Sequence, residues 1–159
     1  MNKKKRFVDL KAAEGRNAYA AVIKKIIKDG VCPFCPKYFL TYHTRPILRS
    51  SKHWLVTENM APYTGADHQY LFILKKHFET VTEISETAWK ELLLHLRWLV
   101  RTYKLPSGGF FMRFGDARYS GASVAHLHAQ LVVGTRRYKN AKPITAFLGF
   151  AKKEKPPSR

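Results

Sequence analysis

Apolar residues recur within residues 11–28 at Tyr19, Val22, Ile23, Ile26 and Ile27, with lysines between them. Separations of three and four residues put these side chains on one stripe of a helix. Asp29-Gly30 ends it, with Gly30 suited to the left-handed conformation of a C-terminal cap. Val31-Cys32-Pro33-Phe34-Cys35-Pro36 follows and reads as a tight turn by its two prolines. Residues 53–58 and 69–74 read as strands, and Pro62, Gly65 and Asp67 mark the loop between them. Thr80-Val81-Thr82-Glu83 has the form of a capping box and predicts a helix from about residue 81. That helix runs through Ala88, Leu92, Leu96, Leu99 and Tyr103 until Lys104-Leu105-Pro106-Ser107-Gly108-Gly109 stops it. Phe110 to Phe114 and Ala125 to Val133 read as two further strands, and Trp54, Trp89 and Trp98 fit core positions. Two or three helices with at least four strands predict an α+β domain on an antiparallel sheet.

A length of 159 residues leaves room for one domain, expected over residues 11–150, between basic tails at 1–10 and 151–159. With 45% hydrophobic and 25% charged residues, the chain is not disordered throughout. Apolar runs such as Leu92 to Leu94 and Leu131 to Val133 fall far short of a membrane span. The basic start, Met1 to Arg6, leads into Phe7-Val8-Asp9-Leu10 rather than the apolar core of a secretory signal. Two cysteines three positions apart make no disulfide framework. The expectation is a small soluble cytoplasmic protein. Its 29 Lys plus Arg against 11 Asp plus Glu give a net charge of +18, of which residues 1–6 and 151–159 carry +7. The body is therefore basic too, a field that favours nucleotides, nucleic acid or acidic lipid; a basic surface serving only solubility is the alternative.

The chemistry concentrates in Gly121-Ala122-Ser123-Val124-Ala125-His126-Leu127-His128-Ala129-Gln130-Leu131-Val132-Val133-Gly134. On a strand, His126, His128 and Gln130 project to one face while Leu127, Ala129 and Leu131 project to the other. Same-face neighbours stand about 6.5–7 Å apart, so two imidazoles and an amide line a rigid element across which an anionic substrate can lie. A half-exposed strand whose polar face simply meets solvent is the competing reading.

This segment resembles the signature strand of the histidine triad (HIT) superfamily, in which His-φ-His-φ-His/Gln precedes apolar residues. Glu58-Asn59-Met60-Ala61-Pro62-Tyr63, followed by Tyr70-Leu71-Phe72-Ile73-Leu74-Lys75-Lys76-His77, is similar to the family's asparagine–proline loop, second strand and Lys-x-His turn. The resemblance covers roughly residues 30–135. It implies a HIT-like fold, an antiparallel sheet of about five strands with two or three helices. It implies nucleotidyl transfer or hydrolysis at the α-phosphate of a nucleoside 5′-phosphate derivative, through a covalent nucleotidyl-histidine on His128. The other ring nitrogen is held by a backbone carbonyl beside His126 in such proteins, and Gln130 and Ser123 take the positions of phosphate donors. Gln130 replaces the commoner third histidine, as in the transferase branch that includes galactose-1-phosphate uridylyltransferases and dinucleoside tetraphosphate phosphorylases. An amide cannot protonate a leaving group, so transfer or phosphorolysis is favoured over simple hydrolysis. Ala122 also departs from the glutamine of many hydrolases.

Cys32-Pro33-Phe34-Cys35 is a Cys-x-x-Cys knuckle that needs two more ligands to make a tetrahedral metal site. A thioredoxin-like redox pair is the rival, although no strand precedes the motif. By resemblance to zinc-carrying family members, His77 and His126 complete a structural zinc site with Cys32 and Cys35. His126 then positions His128 rather than acting as an acid or base.

The resemblance further implies that Asn59 contacts the nucleoside sugar. His68 is a candidate substrate-side histidine, not distinguishable from Gln69 by spacing. Arg113 is a candidate phosphate partner and Asp116 a candidate loop anchor, with a plain salt bridge as the other option. His43, His53 and His95 have no context beyond that of ordinary histidines. The base is expected to be adenine by family frequency, and a homodimer using the helix around 81–103 by analogy. The alternative function is a nucleic-acid-binding or regulatory protein on a HIT scaffold, with little catalysis, reading through its basic surface.

Overall fold

The structure is a computed structural model that describes residues 7–9 and 17–151. The basic stretches 1–6 and 152–159, and the first helix's expected start at residue 11, lie outside the described residues. In chain order the elements are α1 (Asn17–Asp29), α2 (Pro36–Tyr42), β1 (Ile47–Ser50), β2 (Trp54–Glu58) and β3 (His68–Leu74), then α3 (Glu86–Thr102), β4 (Gly109–Arg113), α4 (Ala117–Ser120) and β5 (His128–Val133). The five strands form one antiparallel sheet in the order β1-β2-β3-β5-β4.

The central strands are buried on both faces. Trp54, Val56, Tyr70, Phe72, Leu74, Ala129, Leu131 and Val133 form one face and pack on Ala88, Leu92 and Leu99 of α3. The Trp54 indole N–H donates to the Ala88 carbonyl at 2.7 Å and pins helix to sheet. On the other face Leu55, Leu71 and Ile73 meet Phe39 of α2 and Phe34. The predicted stripe of α1 is seen in Ile23 and Ile26, which pack with Val8, Tyr42 and Val124. Gly30 takes φ +66 and its N–H closes on the Ile26 carbonyl at 2.9 Å, the expected cap.

Four differences from the sequence reading have local causes. Helix α3 starts after Ser85, whose hydroxyl accepts from the Ala88 N–H at 3.3 Å. Thr80 instead accepts from Thr82 N–H and closes a single 3₁₀ turn, Val81–Glu83, which Ile84 ends in an extended conformation. Strand β5 starts at His128 rather than Ala125, because the preceding residues pair elsewhere: Ala125 N–H donates to Phe7 O at 2.8 Å and Leu127 N–H to Phe78 O at 2.7 Å. Pro36 opens α2, where a missing N–H costs a helix nothing, so the expected tight turn leads into an extra helix. Trp54 is fully buried, whereas Trp89 is 37% exposed on the outer side of α3.

A polar junction fastens α3 to the β1–β2 turn. Glu91 Oε2 accepts from the Ser51 hydroxyl at 2.6 Å and the His53 N–H at 2.9 Å, while Oε1 lies 2.8 Å from His53 Nδ1. With the Ser51 proton committed to Glu91, His95 Nε2–H donates to Ser51 Oγ at 2.8 Å. Burial pushes the Glu91 carboxyl upward, but the hydrogen bonds from Ser51 and His53 outweigh it and bring it to about 2. A carboxyl depressed by folding contributes stability that is complete above its ordinary value of 4.5 and lost as pH falls through about 2. Glu91→Gln is therefore expected to lose about 2 kcal/mol at neutral pH. Denaturant titrations should show the gap closing as pH falls from 4.5 toward 2; an equal penalty at pH 7 and pH 2.5 would count against this linkage.

Candidate active site and metal centre

Two groups of side chains meet on the α2 face of the sheet. Cys32 and Cys35 lie between α1 and α2, His77 in the turn after β3, and His126 just before β5. Their ligand atoms all lie within 4.8 Å of one another. His126 Nδ1 is 3.3 Å from Cys32 Sγ, 3.8 Å from Cys35 Sγ and 3.1 Å from His77 Nδ1; Cys35 Sγ is 3.5 Å from His77 Nδ1. A tetrahedral zinc with ordinary Zn–S and Zn–N bonds spaces its ligand atoms about 3.3–3.8 Å apart, so the cluster already has nearly this size.

The proton positions agree. His126 Nε2–H donates to the Leu74 carbonyl at 2.5 Å, so its Nδ1 presents a lone pair. His77 Nε2 faces Glu79 Oε1 at 3.3 Å and donates there, which leaves a lone pair on its Nδ1 as well. Two lone pairs and two sulfurs converging on one point form a donor set for a cation, with the outer hydrogen bonds that orient metal-bound histidines. Burial is the main cause that pushes the Cys32 thiol up to about 12 and lowers His126 to about 4. Two histidine lone pairs set beside the two sulfurs are what a tetrahedral cation takes and what a redox dithiol does not need, so the donor set fits a metal better than dithiol chemistry.

The metal group continues directly into the second site. His128 Nδ1–H donates to the His126 carbonyl at 2.7 Å, which fixes the tautomer and leaves Nε2 unprotonated. Burial, opposed by that hydrogen bond, lowers the His128 ring to about 4 and keeps it neutral. The edge of Phe34 meets the ring with centroids 5.0 Å apart. Gln130 Nε2 lies 3.4 Å from His128 Nε2. His128 and Gln130 open on a cleft walled by Phe34, Leu71 and Tyr19 and by the loop residues Asn59, Ala61 and Tyr63. Gln69, Arg113, Gly121, Ser123 and Phe147 complete it.

His128, Gln130, Asn59, Ser123 and Arg113 all line the cleft, whereas His126 belongs to the metal group and connects to the cleft through its carbonyl, the acceptor of His128 Nδ1–H. Asn59 Oδ1 accepts from Ala61 N–H at 3.0 Å, shaping its own loop. Ser123 Oγ is 3.0 Å from the Tyr19 hydroxyl. Arg113 makes no pair with Asp116, which caps α4 and binds Arg118. Its Nη1 donates to Gly121 O at 3.1 Å and Phe147 O at 3.0 Å, and its Nη2 to the Tyr63 hydroxyl at 3.1 Å. Arg113 Nε is buried with no hydrogen-bond partner among the described residues.

His68 lies outside the cleft, paired with Asp67 at 3.6 Å, and its neighbour Gln69 lies inside. Sheet register is the reason. β3 sets Leu71 opposite Gln130 and Ile73 opposite His128, so the residues of β3 that share the site face are Gln69, Leu71 and Ile73. The sequence does not mark Tyr19, Phe34, Tyr63 and Phe147 as cleft residues, and all four line it. Tyr63 beside Pro62 carried a local hint, whereas Phe147 lies in an irregular segment with none. That segment comes close to Gly121, which has φ +66 and where a Cβ would sit 3.2 Å from Phe147 Cβ.

No protein-family model matches the chain, and no curated protein matches it in sequence. Solved structures do match. A histidine triad protein from Clostridium difficile aligns over 69% of this chain and 96% of its own, with a TM-score of 0.53 at 16% identity. A HIT family hydrolase from Clostridium thermocellum aligns over 69% and 95%, with a TM-score of 0.52 at 23% identity. A Zn-bound histidine triad family protein from Mycobacterium smegmatis aligns over 72% and 79%, with a TM-score of 0.54 at 16% identity. The chain has the histidine triad fold. Among the described residues no helix is long and apolar enough to cross a membrane.

Proposed function

We propose that this chain is a nucleotide-binding enzyme that moves a nucleotidyl group, by transfer or hydrolysis, through a covalent intermediate on His128. The observation that carries this reading is the His128 ring: Nδ1–H donates to the His126 carbonyl at 2.7 Å, so a neutral Nε2 with a free electron pair meets the cleft. In the first half-reaction Nε2 attacks the α-phosphorus of a nucleoside 5′-phosphate derivative. The N–P bond forms as the bond to the leaving group breaks, and that group departs with the electron pair. Water, phosphate or a second nucleotide then attacks phosphorus, and the N–P bond breaks with its electron pair returning to Nε2. His128 is neutral again, and the proton of an attacking water passes to solvent. Charge gathers on the phosphate oxygens in both steps, and the Gln130 amide, the Ser123 hydroxyl and Arg113 stand along the cleft as donors to it. An amide gives no proton to a leaving group, so substrates whose leaving group is already a stable anion are the better fit, as in transfer or phosphorolysis.

Cys32, Cys35, His77 and His126 would hold zinc. Four protein ligands fill a tetrahedral ion, so the metal supplies a cross-link rather than an activated water. Thiols kept available for metal suit a reducing compartment such as the cytoplasm. An adenine base, and a dimer through the outer side of α3, where Leu93 is 56% and Leu94 47% exposed, are parts of the same reading. The net charge of +18 favours nucleic acid as a second class of partner, recognised by a steep loss of affinity with salt.

The test is a panel of dinucleoside polyphosphates, nucleotide sugars and nucleoside phosphoramidates labelled at the α-phosphate. Label is expected on the protein, lost in acid and kept in base, as a phosphoramidate behaves. Turnover of any of them without protein-bound label on rapid quenching would refute the intermediate.

A further inference from the structure

We infer that Gln69 is a positioning residue for the reaction, setting which end of the Gln130 amide faces His128 Nε2 and the phosphate. The inference rests on the function proposed above and deepens it, because Gln130 can donate to phosphate only if its NH₂ faces the cleft.

The orientation follows from a chain of one-way hydrogen bonds anchored at both ends. At one end stands the Tyr63 backbone N–H, which can only donate, and it lies 2.7 Å from the Gln69 side-chain oxygen. With its oxygen so engaged, Gln69 must turn its NH₂ to Gln130, and does so at 2.6 Å. Gln130 therefore presents its oxygen to Gln69 and its NH₂ to His128 Nε2 at 3.4 Å. The far end agrees independently. The His126 carbonyl can only accept, so His128 carries its proton on Nδ1, and Nε2 is left as an acceptor for the Gln130 NH₂. Reversing any amide in the chain would set two donors or two acceptors against each other.

The three side chains of this relay are enclosed. Gln69, His128 and Gln130 are each 4% exposed, so water does not substitute readily for a lost partner. The chain also links the substrate loop to the nucleophile. Asn59 N–H donates to the Gln69 backbone carbonyl at 2.7 Å, and Asn59 Oδ1 in turn holds Ala61, two residues before Tyr63. The loop thereby keeps Tyr63 N–H in the place that orients Gln69 and, through it, Gln130. Without the Gln69 NH₂, the Gln130 amide is free to turn its oxygen toward the phosphate, where negative charge builds in the transition state.

Two substitutions separate positioning from packing. Gln69→Met keeps the length and removes both polar atoms. Gln69→Glu keeps the acceptor for Tyr63 N–H but replaces the donor by an oxygen, which draws the Gln130 NH₂ to itself and reverses the amide. We expect kcat to fall about 10–100-fold in Gln69→Met and further in Gln69→Glu, with KM within about threefold. In a Gln130→Ala background, Gln69→Met should cost less than about threefold more. Equal losses in both backgrounds, losses confined to KM, or a Gln69→Glu enzyme as active as the wild type would overturn the inference.

A measurement on the wild-type protein covers variants that fail to fold. With ¹⁵N-labelled glutamine, the Gln130 side-chain amide protons should give cross-peaks to the His128 ring; cross-peaks to Gln69 alone would reverse the assignment. Failure of the proposed function reads differently, as a wild-type protein that takes no label from the nucleotide panel while this amide orientation still stands.

Discussion

His128→Ala is expected to lose nucleotide turnover by about 10⁴-fold or more, with no label retained on the protein. The size follows from the role. In the proposed reaction the ring nitrogen forms the bond to phosphorus, so its removal takes away the covalent route and leaves only binding and the proposed Gln130, Ser123 and Arg113 donors. The fold should survive, because β5 is held on both sides by β3 and β4 and its other face, Ala129, Leu131 and Val133, remains packed on the α3 side of the core. Circular dichroism and nucleotide binding by equilibrium dialysis would separate lost chemistry from lost structure. Binding within about fivefold of wild type with turnover gone is the predicted pattern. Turnover within tenfold of wild type would remove His128 from the reaction.

Loss of the proposed zinc should act on the whole molecule. Protein purified from cells is expected to carry about one zinc per chain, and Cys32→Ser or a strong chelator should remove it and lower the melting temperature by about 10 °C or more. The cluster joins three separate stretches of chain: the α1–α2 turn, the turn after β3 and the entry to β5. Without a cation, two imidazole lone pairs face each other 3.1 Å apart in a half-buried position, an arrangement that must relax. Relaxation there moves the His126 carbonyl, the acceptor that holds the His128 tautomer, so activity should fall with metal content. Metal analysis by mass spectrometry beside a thermal melt tests both halves. An unchanged melting temperature in chelator and in Cys32→Ser would show that the four residues hold no structural ion.

How far these features can be read without coordinates depends on the range of the forces behind them. The stripes of α1 and α3 are legible because helical spacing is local, and Ile23, Ile26, Leu92 and Leu99 are buried where their period puts them. His128 and Gln130 are legible for a similar reason, since alternation along one strand decides that they share a face. The start of α3 is not, because Thr80 and Ser85 both have cap chemistry and the choice falls to the segment whose following residues pack on the sheet. The short edge strand β1, with its irregular register between Ile47 and Arg49, has too few residues to show a period.

The cleft separates local from long-range information most clearly. Residue chemistry alone carries the proposed nucleophile, the Cys-x-x-Cys knuckle and the basic character of the chain, because each needs only residue types and short spacings. The choice between His68 and Gln69 depends on which strand lies beside β5 and in what register, a fact about pairs 61–65 positions apart. The same holds for Arg113, whose partners Tyr63, Gly121 and Phe147 come from three separate parts of the chain. Amide direction in Gln130, lone-pair direction in His77 and His126, and closure of the cleft by Phe147 arise only when distant groups are buried together and must satisfy one another's hydrogen bonds.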